Sequence, residues 1–146
     1  MLTVSDPVAV ANRLRPVLLQ LSRHMRRELA PLGITAGQAA LLHAVRSNPG
    51  IGVRELAKRE GVSAASMSTA LTRLEVAGLL GRTRAGADRR RVGLELTTAG
   101  TRVLRSARSR RTAWLAARLR QLSPNQLEAV DRVIEPLMAL LEDEPV

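Results

Sequence analysis

Apolar side chains recur along this chain mainly at intervals of three and four, and over one short stretch at intervals of two. Leu14, Leu18, Leu21, Met25 and Leu29 mark a first helix. It starts at Asp6-Pro7, an N-cap followed by proline in the first turn, and runs through Ala30. Pro16 lies inside it and predicts a kink or a break; Pro31-Leu32-Gly33 ends it. Thr35-Ala36-Gly37-Gln38 is a capping box opening a second helix, with Ala39, Leu42 and Val45 inward. Asn48-Pro49-Gly50 stops that helix, and Ile51-Gly52 is expected to form a very short strand. Val53 to Glu60 is a short helix closed by Gly61, and Ser63 caps the next, Ala64 to Ala77, which Gly78 ends. Two short helices joined by Gly61-Val62-Ser63 make a helix-turn-helix pattern.

The change of period comes next. Val92, Leu94 and Leu96 alternate with outward residues, so Leu79–Arg84 and Arg91–Thr97 read as a hairpin. Its tip, residues 85–90, reads as mobile and cationic. Thr97-Thr98 caps a long helix to about Gln121 whose apolar sector holds Val103, Leu104, Ala107, Trp114, Leu115 and Leu122. Ser123-Pro124-Asn125-Gln126 is a second capping box, and Leu127, Val130, Ile134, Leu137 and Leu141 stripe the last helix, with Pro136 an expected kink. The fold class is mainly α with one small β-hairpin.

Charge sharpens the picture. The formal net charge of +10 lies wholly within Arg82–Arg120, which holds twelve arginines against Asp88 and Glu95. A concentrated cationic stretch of this kind wants a polyanion. Trp114 is the lone aromatic residue, which disfavours single-strand binding by base stacking and leaves duplex DNA as the expected partner. With no cysteine there is no disulfide, thiol sensor or Cys-ligated metal, and His24 and His43, far apart in sequence, read as surface or packing residues rather than a ligand or base. No catalytic set, metal or cofactor is expected, so the chain is not read as an enzyme. No apolar run reaches a membrane span and no signal peptide opens the chain, so a cytoplasmic protein without membrane contact is expected.

Certain residues carry more than pattern: Leu32-Gly33-Ile34-Thr35 with Gln38, Val53-Arg54-Glu55-Leu56-Ala57, Gly61-Val62-Ser63, Arg73-Leu74-Glu75 with Gly78-Leu79, Asp88-Arg89-Arg90, and Leu96-Thr97-Thr98-Ala99-Gly100. With their order they resemble the MarR family of winged helix-turn-helix regulators, over nearly the whole chain. The resemblance implies one MarR-type domain over 1–146, with a winged DNA-binding lobe at 32–100 and a helical dimerisation region at 1–31 and 101–146. It further implies a homodimer whose first and last helices interlock, with Leu14, Leu18, Trp114, Leu115, Leu127, Ile134 and Leu137 at the interface. Such a dimer binds a pseudo-palindromic operator, commonly as a repressor released by a small effector. The effector expected here is apolar or an aromatic acid, in a cavity between the dimer helices and the lobe.

On the helix from Ala64 to Ala77, Met67, Ala70, Leu71 and Leu74 share one side; Ala65, Thr69, Thr72 and Arg73 share the other, flanked by Ser66 and Ser68. That outer face has small side chains and no acid, so it can approach base edges, with Ala65 meeting a thymine methyl and Ser66, Ser68 and Thr69 bonding bases or phosphates. Ser63 stands at its N-terminus. Arg73 either forks onto guanine or clamps a phosphate, and Arg54 is a candidate phosphate ligand near its own helix start. In the wing, the resemblance places Arg90 in the minor groove and makes Asp88 its positioning partner; Arg84, Arg89 and Arg91 are within reach of the flanking backbone. The alternatives, a solvated polar face and a solubilising loop, are outweighed by the adjacency of the two. Arg111 and Arg118 fall inside the apolar sector of the long helix, where an unpaired cation is costly. Residues 121–146 carry six acids and one arginine, so some helix arginines are expected to pair with these acids in the dimer interface. A carboxylate of an effector on Arg111 or Arg118 is the rival.

Overall fold

The computed structural model describes residues 5–84 and 92–142. In chain order they form α1 (Pro7–Arg27), a 3-10 turn (Ala30–Leu32), α2 (Ala36–Ser47), α3 (Val53–Glu60), α4 (Ala64–Val76), β1 (Leu80–Arg84), β2 (Val92–Leu96), α5 (Thr98–Leu119) and α6 (Pro124–Glu142). Two compact units result, Met1–Arg111 and Thr112–Val146.

The first unit contains the core. Leu29, Leu42, Val45, Leu56, Leu71, Leu74 and Leu94 are enclosed almost completely, drawing α2, α3, α4, β2 and the chain just after α1 onto one aliphatic centre. Local chemistry starts α1, α2 and α6 as expected. Asp6 accepts the N–H groups of Val8 and Ala9, and Thr35 and Gln38 exchange hydrogen bonds of 3.1 and 3.0 Å. Ser123 and Gln126 repeat that reciprocal cap before α6. β1 and β2 run antiparallel with Leu80 opposite Leu96 and Arg82 opposite Leu94.

The joint between α4, β1 and α5 positions the wing. Thr97 Oγ1 donates to the Gly78 carbonyl at 2.6 Å and accepts the Gly100 N–H at 3.0 Å, while the Thr97 N–H donates to the Leu79 carbonyl at 3.2 Å. The start of α5 thereby lies flat on the turn after α4. Gly100 is required there, because a Cβ at that position would land on the Leu79 carbonyl oxygen.

The structure departs from the sequence expectations in several places. α1 runs unbroken through Pro16, and α6 through Pro136. Each proline removes a hydrogen bond to the carbonyl four residues earlier, on Asn12 and Arg132, and both of those residues are exposed to water that can replace it. α1 ends at Arg27 rather than Ala30, the chain tightening into the 3-10 turn before Gly33. Ile51-Gly52 is not a strand; the Gly50 N–H donates to the Leu94 carbonyl and the Leu94 N–H to that of Ile51, one bonded step that the helix start at Val53 cuts short. Val92 is exposed and Leu96 half-buried, leaving Leu94 as the inward anchor of its strand.

No residue of α1 is buried; Leu14 is half-buried and Leu18 exposed, as are Val8, Val17 and Leu19. In the second unit Trp114, Leu115 and Leu137 are half-buried, and Leu127 and Ile134 are exposed together with Met138, Leu140 and Leu141. The Arg118 guanidinium lies 5.1 Å from the centroid of the Trp114 ring, a cation–π contact that accommodates a charge within an apolar sector.

Gly100→Ala should therefore push α5 off the Leu79 carbonyl and cost at least ~2 kcal/mol of stability, as overpacking against backbone does. Denaturant melts of the two proteins measure this, and equal midpoints would contradict the close-approach argument.

Candidate nucleic-acid interface

Gly61, with φ at +67°, lets the chain reverse between α3 and α4 through the left-handed region that other residues avoid. The Val62 N–H closes onto the Ala57 carbonyl at 3.1 Å. Ser63 then adopts the extended conformation of an N-cap, its Oγ accepting the Ser66 N–H at 3.1 Å and donating to Ser66 Oγ at 3.0 Å. Met67, Leu71 and Leu74 lock the inner side of α4 into the core. Ala65, Ser66, Ser68, Thr69, Thr72 and Arg73 are all exposed on the other side, as the spacing predicted.

The hydroxyls on that surface are less free than their residue types suggest. Thr69 Oγ1 donates to the Ala65 carbonyl at 3.1 Å, and Thr72 Oγ1 to the Ser68 carbonyl at 2.8 Å. Both threonines thus hold their protons against the helix and offer lone pairs and a methyl group outward. Ser63 and Ser66 are occupied with each other and with the cap, which leaves Ser68 and the apolar contacts of Ala65, Thr69 and Thr72 as the adaptable part of the face.

Arginines divide by what they touch. Arg59 spans from Glu55 at 3.3 Å to the Asn48 side chain at 2.7 Å, tying α3 to the end of α2. Arg54 is exposed and carries no ion pair among the described residues, and Arg73 is in the same state. Arg82, part of the cationic run in the sequence, turns back to Glu75 at 2.7 Å and fastens the base of the hairpin to α4. Sequence reasoning missed that pair, although Glu75 is the only acid on α4. The side chain of Arg84 and the whole of Asp88, Arg89, Arg90 and Arg91 lie outside the described residues. Arg110, on the long helix some of whose arginines were expected to seek acids beyond residue 121, pairs with Glu28.

Two of the concavities in the first unit lie against α1 and α4. One, about 280 Å³, is lined by Ser22, Met25, Arg26, Ala36 and Arg111. The other, about 440 Å³, runs beside α4 past Gln38, Leu41, Ser66, Ala70 and Arg73. The residues lining them were not legible in the sequence, which offered only a cation, Arg111, placed within an apolar sector and the expectation of a cavity beside the lobe.

A family model described as MarR family matches residues 32–91, the span from the 3-10 turn to the second strand. The chain is 30% identical over 109 residues to the HTH-type transcriptional repressor Rv2887 of Mycobacterium tuberculosis, with 75% of this chain and 78% of that one aligned. The chain belongs to the MarR family. It is a transcriptional regulator of the helix-turn-helix type, and its relatives are named as regulators rather than enzymes. The crystal structure of RV1404 from Mycobacterium tuberculosis superposes with a TM-score of 0.84 at 22% identity, covering 100% of this chain and 99% of that one. An S. aureus MepR mutant bound to an oligodeoxyribonucleotide shares the fold with a TM-score of 0.71 at 21% identity, over 91% and 98% of the two chains. In this MarR-family chain no described helix is long and apolar enough to cross a membrane.

The cap predicts a separation of stability from surface charge. Ser63→Ala should cost ~1 kcal/mol of folding stability, whereas Ser63→Asp, which keeps an acceptor at the cap, should melt near the parent. Identical melting curves for all three proteins would mean that the Ser63 cap is not holding α4.

Proposed function

We propose that this MarR-family protein is a homodimeric repressor that grips duplex DNA in both grooves. The observation that carries the reading is the outer face of α4, exposed, small-chained and free of acids, with a cationic hairpin directly following it in the chain. Ala65, Ser68, Thr69 and Thr72 enter the major groove, Arg73 meets guanine or phosphate at its edge, and Arg54 and the N-terminus of α4 capped by Ser63 hold the backbone. Ser66 supports the cap and lies alongside. Arg90, set by Asp88, reads the width of the minor groove, with Arg84, Arg89 and Arg91 on flanking phosphates.

The lobe at 32–100 supplies the grip, and the helices at 1–31 and 101–146 supply the dimer. Support for self-association comes from apolar side chains left in water on α1 and, separately, on α6, where Leu18, Leu127 and Ile134 are each more than 40% exposed. A two-fold dimer places its recognition helices about one DNA turn apart, ~34 Å. Repression is supported by the name of the 30%-identical relative, and DNA binding by the oligodeoxyribonucleotide named with the MepR neighbour. The cavity beside Arg26 and Arg111 suits the carboxylate of an aromatic acid better than a wholly apolar effector, because its only charges are positive.

Selection of bound fragments from random duplexes is the deciding experiment. A single pseudo-palindrome should emerge, with affinity falling steeply as salt rises. Equal affinity for random DNA would replace this reading with that of a sequence-indifferent architectural protein. On the selected site Arg90→Ala should lose ~1–3 kcal/mol of binding, and an unaltered isotherm would remove the minor-groove role.

A further inference from the structure

Both long helices of the first unit leave its core at one place. Leu29, the residue after the α1 cap, is buried, and nothing within α1 itself is. On α5 the last buried residue is Ala107. Glu28 is next to Leu29 and Arg110 lies three residues beyond Ala107, and there Arg110 reaches Glu28. Its Nε donates to the main-chain carbonyl of Glu28 at 2.9 Å, and its Nη2 contacts the carboxylate at 3.3 Å. The pair joins residues 82 positions apart in sequence.

The chemistry suits a fastening rather than a source of stability. Glu28 is the C-cap of α1, where unpaired carbonyls and the negative end of the helix dipole favour a cation. A planar guanidinium presents its N–H donors in a fixed fork, so Nε meets the backbone acceptor while Nη2 meets the carboxylate. Yet the side chains are 42% and 28% exposed, and ion pairs so accessible contribute little to folding. Packing does not stiffen the joint either, since the cavity of about 280 Å³ between Ser22, Met25, Arg26, Ala36 and Arg111 adjoins it. The charged residues next to Glu28 and Arg110 in sequence (Arg26, Arg27 and Arg111) are positive, so these turns hold no second acid for Arg110.

We infer that Arg110, by clamping the end of α1 to α5 where both helices leave the core, is a positioning residue that sets the half-site spacing this regulator accepts. The inference rests on the two-fold DNA-binding reading above. If α1 belongs to the dimer interface and the lobe carries the recognition helix, the angle at this neck decides how far apart two recognition helices stand. One base pair of spacing shifts a half-site by ~3.4 Å and rotates it by ~35°, a mismatch that a stiff neck resists and a loose one follows.

The test uses the full-length protein and the selected operator with its half-site spacing changed by one base pair in either direction. The parent should lose roughly tenfold in affinity at either altered spacing, the size of effect a mispositioned contact produces. Arg110→Gln should cut that penalty to about threefold or less, while binding to a duplex with one half-site stays within about twofold of the parent. Glu28→Gln keeps the main-chain acceptor and an amide oxygen, so it should retain most of the parent's penalty. An Arg110→Gln protein with the parent's spacing penalty overturns the inference. So does a loss that is equal at every spacing and accompanied by a lower melting temperature, which marks a merely structural contact. A parent that binds all spacings alike sinks the two-fold reading itself, and the positioning role with it.

Discussion

The rotation of α4 about its own axis is the constraint on which the rest depends. Met67, Leu71 and Leu74 set it by filling the aliphatic core, each burial worth about 1.5–3 kcal/mol. Turning the helix by one residue, ~100°, would expose these side chains and force Ser68 or Thr72 inward without partners. The same burial that stabilises the lobe therefore dictates which face meets solvent. Gly61 and the Ser63 cap fix where that face begins, and the Thr97–Gly78–Gly100 joint fixes where the hairpin leaves it.

Within this frame the arginines perform unlike tasks despite their common charge. Arg59, Arg82 and Arg110 are committed to acids and orient one element against another. Arg118 rests on Trp114. Arg54 and Arg73 have no ion-pair partner among the described residues and face outward, which suits them to an external anion. Net charge alone would have credited all of these to the polyanion. Geometry separates those that hold one element against another from those that are left to an external anion, and the former gain orientation more than energy because they remain partly in water.

Much of the fold was legible from local signals. The capping pairs Thr35–Gln38 and Ser123–Gln126, the glycine at 61 and the helical spacing of Met67, Leu71 and Leu74 each involve residues within a few positions of one another. Helix breaks were less legible. Pro16 and Pro136 mark lost hydrogen bonds, and whether the helix continues depends on whether water reaches the freed carbonyl. The same applies to the exposed hydroxyls of α4: residue type identified Thr69 and Thr72, but only the helix geometry showed their protons turned back to Ala65 and Ser68.

The amino-acid sequence by itself determined the order of the elements, the polarity of each helix face and the family, because these follow from side chains close together along the chain. Tertiary structure alone decided the partners of Arg82 and Arg110, the cavity beside Arg111 and the seating of α5 on Leu79. Those features join residues that meet only after the core has closed. No spacing rule specifies which of many arginines will find a given carboxylate across 82 residues.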